Sequence, residues 1–419
     1  MLRQIEGSRA VAEAVALCRP EVIAAYPISP QTHIVEALSA LVKDGTLAPC
    51  EYINVESEFS AMSVCIGASA AGARTYTATA SQGLLFMVEA VYNASGLGLP
   101  IVMTVANRAI GSPINIWNDH SDAMSQRDSG WIQLYAESNQ EALDLHLQAF
   151  RLAEEVSLPV MVCMDGFVLT HAVERVDVPS QDEVDGFLPA FAPRQVLDPD
   201  DPMTIGAMVG PEAFTEVRYL MHAKQMLALD AIPQIADAFA QAFGRDSGGL
   251  VRGYRLADAD TVIVGLGSVL GTIEDVVDDL REQGHRAGAL AVRCFRPWPL
   301  DEVRAALGTA RRVVVVEKAF AVGAGGIVGQ NVRLALDGVA AAPRVHDVIA
   351  GLGGRPITSA SLHRIVADAL EGRAGRTTFL DLDTGVVERE LRRSREDPRP
   401  GPHAENILRE AGIAGGGPR

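Results

Sequence analysis

Three short segments of the chain hold side chains that can do chemistry, and each follows an apolar run of strand length. The first, Tyr26-Pro27-Ile28-Ser29-Pro30, sets the Ser29 hydroxyl at a predicted helix start, where free N–H groups and the helix dipole favour a ligand oxygen or carboxylate. A helix cap is the competing account of the same serine. The second, Asn54-Val55-Glu56-Ser57-Glu58-Phe59-Ser60-Ala61, leads into the small-residue run Gly67-Ala68-Ser69-Ala70-Ala71-Gly72. Glu58 therefore stands at a strand-to-helix junction beside a tightly packing segment, where burying a carboxylate is costly unless something pairs with it. An acid in the first helical turn can instead simply complement the dipole, the reading preferred for Glu56. The third, Ala106-Asn107-Arg108-Ala109, offers a guanidinium, the group suited to hold a carboxylate by two parallel hydrogen bonds. An ion pair with a nearby Asp is the alternative for Arg108. The same loop ends in Asn118-Asp119-His120-Ser121-Asp122, a weak metal signal that turn chemistry explains equally well. No metal ligand is assigned to this chain.

Stepping outward, strand-length and helix-length runs alternate, the signature of a doubly wound α/β fold with a parallel sheet. Strands are predicted at 22–26, 52–55, 75–79, 101–105 and 159–164, with Ser29 capping a helix that has Pro30 at its first position. In such sheets ligands gather at the carboxyl ends of the strands, so the three segments should converge. The connection 106–128 loses all periodicity, as functional loops often do. The stretch 173–210 reads as a surface excursion and 218–243 as helical. Gly244-Arg245-Asp246-Ser247-Gly248-Gly249 is the best boundary. It separates a domain over 1–243 from a smaller α/β domain over 250–372, with strands at 261–264, 289–292, 312–317 and 344–349. An extended tail over 373–419 is expected to lie along a partner.

At 419 residues the chain exceeds the size at which one core suffices. Its net charge of −17 argues against nucleic acid or another polyanion, which needs clustered Lys and Arg. No apolar stretch has the length of a membrane span or a signal-peptide core, so a cytoplasmic location is expected. The cysteines Cys18, Cys50, Cys65, Cys163 and Cys294 are too widely spaced for an iron–sulfur or zinc motif and read as buried hydrophobes.

Taken in series, Tyr26-Pro27-Ile28-Ser29-Pro30, Glu56-Ser57-Glu58, Thr79-Ala80-Ser81-Gln82-Gly83-Leu84-Leu85, Arg108-Ala109, Asn118-Asp119-His120-Ser121-Asp122 and Met164-Asp165-Gly166-Phe167 resemble the motifs of the alpha subunit of pyruvate:ferredoxin oxidoreductase, in the 2-oxoacid:ferredoxin oxidoreductase family. The resemblance spans about residues 1–370 and is strongest through 170. It implies a pyrimidine-type thiamine-diphosphate-binding domain followed by a transketolase C-terminal-like domain. It also implies that Glu58 hydrogen-bonds the aminopyrimidine ring and drives it to the imino tautomer that takes the thiazolium proton. By the same resemblance Arg108 binds the substrate carboxylate and Ser29 lines that pocket, although the family more often has Thr there. The implied reaction is oxidative decarboxylation of a 2-oxoacid, pyruvate first among them, with coenzyme A, or the reverse carboxylation.

The family anchors the diphosphate through Mg²⁺ at Gly-Asp-Gly, which this chain lacks. Thiamine diphosphate is therefore expected to be shared with a beta subunit carrying the diphosphate and Mg²⁺ motif. The [4Fe-4S] clusters are expected on partner subunits, among them gamma and ferredoxin-like delta subunits or fused equivalents, which pass electrons to ferredoxin. A rival reading is a nucleotide-binding dehydrogenase built on Gly265-Leu266-Gly267-Ser268-Val269-Leu270-Gly271, whose third glycine is one residue late and whose next strand ends without the ribose-binding acid. A non-catalytic interaction subunit is a third reading, and it requires Glu58 and Arg108 to be dispensable.

Overall fold

The computed structural model describes residues 1–413. Its strands are β1 Leu2–Glu6, β2 Val22–Ala25, β3 Glu51–Asn54, β4 Thr75–Thr79, β5 Ile101–Asn107, β6 Ile132–Tyr135, β7 Val160–Asp165 and β8 Val173–Asp177. There follow β9 Val251–Tyr254, β10 Thr261–Gly265, β11 Ala287–Val292, β12 Cys294–Arg296, β13 Arg312–Glu317, β14 Arg344–Ile349 and β15 Thr377–Phe379. The first sheet runs β12-β6-β7-β5-β4-β2-β3 and the second β15-β14-β13-β10-β11-β9. From β6 to β3 every pairing in the first sheet is parallel, and β12 closes its edge antiparallel.

Period-2 burial shows how the first sheet is covered on both faces. Val102, Val160 and Val162 pack with helices Gly7–Leu17, Asn139–Val156 and Phe214–Phe243 in one apolar cluster. Their neighbours Ile101, Met103, Met161 and Cys163 join Met62, Leu84 and Val91 in another. Side chains that alternate across a strand reach opposite faces, so this is the doubly wound arrangement expected from the near-continuous apolar strands. The second cluster also takes in Val262, Val264, Leu290, Val313 and Val315 of the second sheet. The two sheets therefore share a core rather than meeting through a linker.

Several sequence-based expectations change here. Ser29 does not cap a helix: the helix is Thr32–Lys43, Gln31 stands at its cap, and Pro30 lies outside it. The turn is instead closed by Gln31 N–H on the Ile28 carbonyl, while the Gln31 side chain reaches across to the Ala78 carbonyl at 2.6 Å. The excursion 173–210 contains β8, paired antiparallel with β1, and the helix Gln181–Phe187. Within 250–372, β12 leaves its own sheet to pair with β6.

The segment read as an extended tail is folded as far as it is described. Thr377–Phe379 joins the second sheet beside β14, with the Phe379 ring 5.2 Å from Phe320. Helices Thr384–Glu396 and His403–Glu410 follow. Asp383 caps the first of them, and Glu390 ties the two together through His403 at 2.9 Å and Asn406 at 3.0 Å. Residues 414–419 lie outside the described chain. Among the described residues no helix is long and apolar enough to cross a membrane.

Candidate functional site

The five neighbouring strands β7, β5, β4, β2 and β3 run parallel, so their carboxyl ends form one rim. Asp165, Arg108, Ser81, Ser29 and Glu58 follow or end them in turn. Glu58 opens the helix Glu58–Ala70, whose cap Ser57 is extended and accepts from Ser60 N–H at 3.2 Å. Packing of that helix on the sheet leaves Glu58 only 7% exposed. Among the described residues its carboxylate has no hydrogen bond and no ion pair. Glu56, expected in the first helical turn, lies before the cap instead; it is exposed and accepts from Ser60 Oγ at 2.6 Å, and the first-turn acid is Glu58.

Gly83 makes the space at Glu58. A Cβ on Gly83 would stand 2.6 Å from Glu58 Oε1 and 2.6 Å from Thr79 Oγ1. The Thr79 hydroxyl is buried and without a partner. A buried carboxylate and an orphan hydroxyl thus converge beside a residue that has no side chain, and buried polar groups in that state call for a further partner.

Arg108 lies at the end of β5. Its Nη1 donates to the Ser29 carbonyl at 2.9 Å and its Nε to the Asn115 carbonyl at 3.2 Å. No carboxylate pairs with the guanidinium among the described residues, so the ion-pair alternative is not realised. Asp122, the nearby acid, takes the Arg108 backbone N–H instead, together with those of Ser81 and Ala123 and the Asn107 amide, at 2.8–2.9 Å. Burial pushes the Asp122 carboxyl up to about 6 against these four donors. Burial likewise lowers the Arg108 pKa, an effect that Asp122 opposes. Ser29 meets Arg108 through its carbonyl, and its exposed side chain makes no hydrogen bond among the described residues.

Asp119, His120 and Asp122 do not share a metal centre. Asp119 takes the Ser121 and Gly353 N–H groups, and His120 pairs with Asp165 at 2.7 Å. A different trio, Glu6, His33 and His171, brings ligand-type atoms within 4.8 Å. Hydrogen bonds account for it: His33 Nδ1 meets Glu6 at 2.6 Å and His171 Nδ1 meets Thr170 at 2.8 Å.

Asp165, part of the Met164-Asp165-Gly166-Phe167 motif, is the residue to which the sequence assigned no role. Fully buried at the end of β7, it receives Lys318 Nζ at 2.9 Å and Ser268 N–H at 2.8 Å as well as His120. Burial raises its pKa, but the Lys318 and His120 charges outweigh that and hold the carboxyl well below the usual range. An acid ending the wholly apolar run of β7 and a Glu-Lys pair ending β13 were the available signals. The same contact removes the dehydrogenase reading, because Asp165 occupies the glycine turn at Gly267–Ser268 where a pyrophosphate would have to sit. A groove of 690 Å³ lined by Phe59, Ile66, Tyr92 and Phe214 touches none of Glu58, Ser29 or Arg108.

Residues 13–236 match the model of the family described as pyruvate flavodoxin/ferredoxin oxidoreductase, thiamine diphosphate-binding. The chain belongs to this family. Residues 259–362 match a second model, pyruvate:ferredoxin oxidoreductase core domain II, in agreement with the second sheet. Among the family's curated members, the pyruvate synthase subunit PorA of Methanosarcina barkeri is 48% identical over 386 residues, covering 90% of this chain and 96% of that one. The ketoisovalerate oxidoreductase subunit VorA of Pyrococcus abyssi is 41% identical over 365 residues, covering 87% and 92%. In fold the chain resembles a solved 2-oxoglutarate:ferredoxin oxidoreductase from Magnetococcus marinus, with a TM-score of 0.66 at 20% identity, over 88% of this chain and 65% of that one. The doubly wound, transketolase-like fold expected of a family member is thus the fold found.

Proposed function

We propose that this chain is the alpha subunit of a pyruvate:ferredoxin oxidoreductase and holds the aminopyrimidine half of thiamine diphosphate. The observation that carries the reading is the buried, unpartnered Glu58 carboxylate lying where a side chain on Gly83 would otherwise stand. These residues fit the cofactor: Glu58 would hold its pyrimidine ring, with the orphan Thr79 hydroxyl beside it. When bound, thiamine diphosphate supplies the electron sink that lets the 2-oxoacid lose CO₂.

The rest is done by the chain's own groups. Glu58 holds or releases a proton at its carboxylate oxygen, in a place where little water competes. Arg108 presents an unpaired guanidinium to the substrate carboxylate, and Ser29 fixes its direction through the backbone carbonyl. In the overall reaction pyruvate and coenzyme A give acetyl-CoA, CO₂ and a proton with two electrons leaving for ferredoxin, or the reverse.

The remaining parts are assigned to partners. The chain has no Gly-Asp-Gly, which supports a beta subunit holding Mg²⁺ and the diphosphate. Its five cysteines are free, and four of them are buried, which supports [4Fe-4S] clusters on other subunits. The family relatives are themselves named as subunits. Pyruvate is preferred over a branched 2-oxoacid because the pyruvate synthase subunit is the more similar of the two relatives. A cytoplasmic location goes with this chemistry. The test is purification of the native complex and comparison of pyruvate, 2-oxoglutarate and branched 2-oxoacids at equal concentration. Preferred turnover of pyruvate supports the assignment; a complex that reduces ferredoxin only with another 2-oxoacid overturns the substrate, and one inactive with all three overturns the function.

A further inference from the structure

The loop that carries Arg108 is laid across the end of the second sheet. Asn115, whose carbonyl accepts from Arg108 Nε, donates its side-chain Nδ2–H to the Gly353 carbonyl at 3.1 Å and accepts from Trp117 N–H at 2.7 Å. Gly353 N–H in turn donates to Asp119 at 3.1 Å. Both backbone polar groups of Gly353 are therefore spent on the loop. Gly353 and its neighbours Gly351 and Gly354 all have positive φ, a conformation that a residue with a Cβ adopts at a cost. The approach is also too close for a side chain. A Cβ on Gly353 would stand 2.5 Å from Asn115 Nδ2, and one on Gly354 would stand 2.5 Å from the Trp117 Cβ.

One further contact fixes the loop to the same domain. His120 N–H donates to the Lys318 carbonyl at 2.9 Å, and Lys318 is itself held by Asp165. Within its own domain, the part of the loop nearest Arg108 has the Ala109–Trp117 backbone bond and contacts from Ser81 and Gln82. Ile114 and Trp117 stand 75% and 53% exposed, and a contact of the Trp117 ring with Phe167 at 4.9 Å is the main apolar packing on this part of the loop. A flexible arginine on such a loop would have to be ordered each time it met an anion, and that ordering subtracts from affinity.

We infer that Gly353, acting through Asn115, is a positioning residue that orders Arg108 for the substrate carboxylate, which makes the second domain part of substrate recognition. This rests on the reading of Arg108 as the carboxylate-binding group. Neither Gly353 nor Asn115 needs to touch substrate. Their effect is on how much guanidinium freedom is removed before binding.

The test uses the reconstituted complex with Gly353→Ala and Asn115→Ala. The KM for pyruvate should rise on the order of tenfold in each, while kcat and the affinity for thiamine diphosphate stay within about twofold, the pattern of lost ground-state and transition-state binding together. Hydrogen exchange of the backbone over 108–118 should quicken in both variants without substrate present. Adding Arg108→Lys to Gly353→Ala should raise KM less than the two single effects combined, because they act on one contact. If Gly353→Ala fails to assemble, Asn115→Ala decides alone. Unchanged KM and unchanged exchange in Asn115→Ala, with Arg108→Lys still raising KM, overturn the positioning role and leave the proposed function standing. Equal losses in KM and cofactor affinity mark general disruption and overturn it as well. If Arg108→Lys itself leaves KM unchanged, the reading of Arg108 fails first and this inference falls with it.

Discussion

Arg108 Nη1 donates to the Ser29 carbonyl at 2.9 Å, joining the ends of β5 and β2 across the rim. The guanidinium is thereby aimed by backbone on one side and left unpaired on the other. In Arg108→Lys the charge remains, but the compact ammonium cannot make the Ser29 and Asn115 contacts and a two-pronged grip together. The KM for pyruvate should rise at least tenfold while the affinity for thiamine diphosphate changes little, as read by steady-state kinetics and by cofactor titration. Equal losses in both would mean a structural role.

Gly83→Ala tests whether the space beside Glu58 is needed. Glycine inside a helix is ordinarily worse than alanine by about 1 kcal/mol, so alanine stabilises wherever there is room. Here the new Cβ would stand 2.6 Å from both Glu58 Oε1 and Thr79 Oγ1. Overpacking of this kind costs about 1–3 kcal/mol, and relief requires the Glu58 carboxylate to move. Turnover of the complex should fall on the order of 10²-fold, with a lower melting temperature for the chain. A stabilised, fully active variant would show that the space is open.

His146 should make the first domain acid-sensitive. It sits in a buried chain in which the Tyr76 hydroxyl meets Thr104 at 2.6 Å, Thr104 meets His146 Nε2 at 2.5 Å, and His146 Nδ1 meets the Ala142 carbonyl at 2.6 Å. A carbonyl only accepts, so Nδ1 carries a proton. Burial lowers its pKa from 6.5 to about 4. The unfolded chain therefore binds a proton between pH 6.5 and 4 that the folded chain refuses. The stability His146 contributes is present above 6.5 and lost as pH falls toward 4, by about 3 kcal/mol over the window. Urea unfolding of His146→Asn should show a flatter pH dependence over that range, and an unchanged slope would rule His146 out as its source.

Much of this is legible in the sequence, for identifiable reasons. The central strands β5, β7, β10, β11 and β13 are near-continuous apolar runs, which leaves little freedom in placing them, whereas the edge strands β9, β12 and β15 are short and mixed and give no such signal. Glu58 and Arg108 stood out because an acid and a guanidinium at strand ends are expensive without a purpose. The long-range contacts were not legible. Nothing local ties Asp165 to Lys318, 153 residues apart, or sends β12 to the other sheet. Ser29 was misread as a cap because a Ser-Pro pair before a helix is a strong local signal, and the tertiary bond from Gln31 to Ala78 moved the helix start. The C-terminal segment reads as extended because it is charged and interrupted by Pro398, Pro400 and Pro402, which lie between its two helices and leave Glu390 to join them by polar contacts.

Glu58→Gln in the reconstituted complex tests the central claim most directly. The amide is nearly isosteric and can still hydrogen-bond, but it cannot take up or give back the proton that the proposed role requires. Exchange of the thiazolium C2 proton, followed by NMR after acid quench, should slow on the order of 10²-fold or more, the range for removal of a positioned acid–base group, and turnover should fall in parallel. Folding should hold or improve, since a neutral group replaces a buried carboxylate. Normal exchange and near-normal turnover in Glu58→Gln would contradict the account.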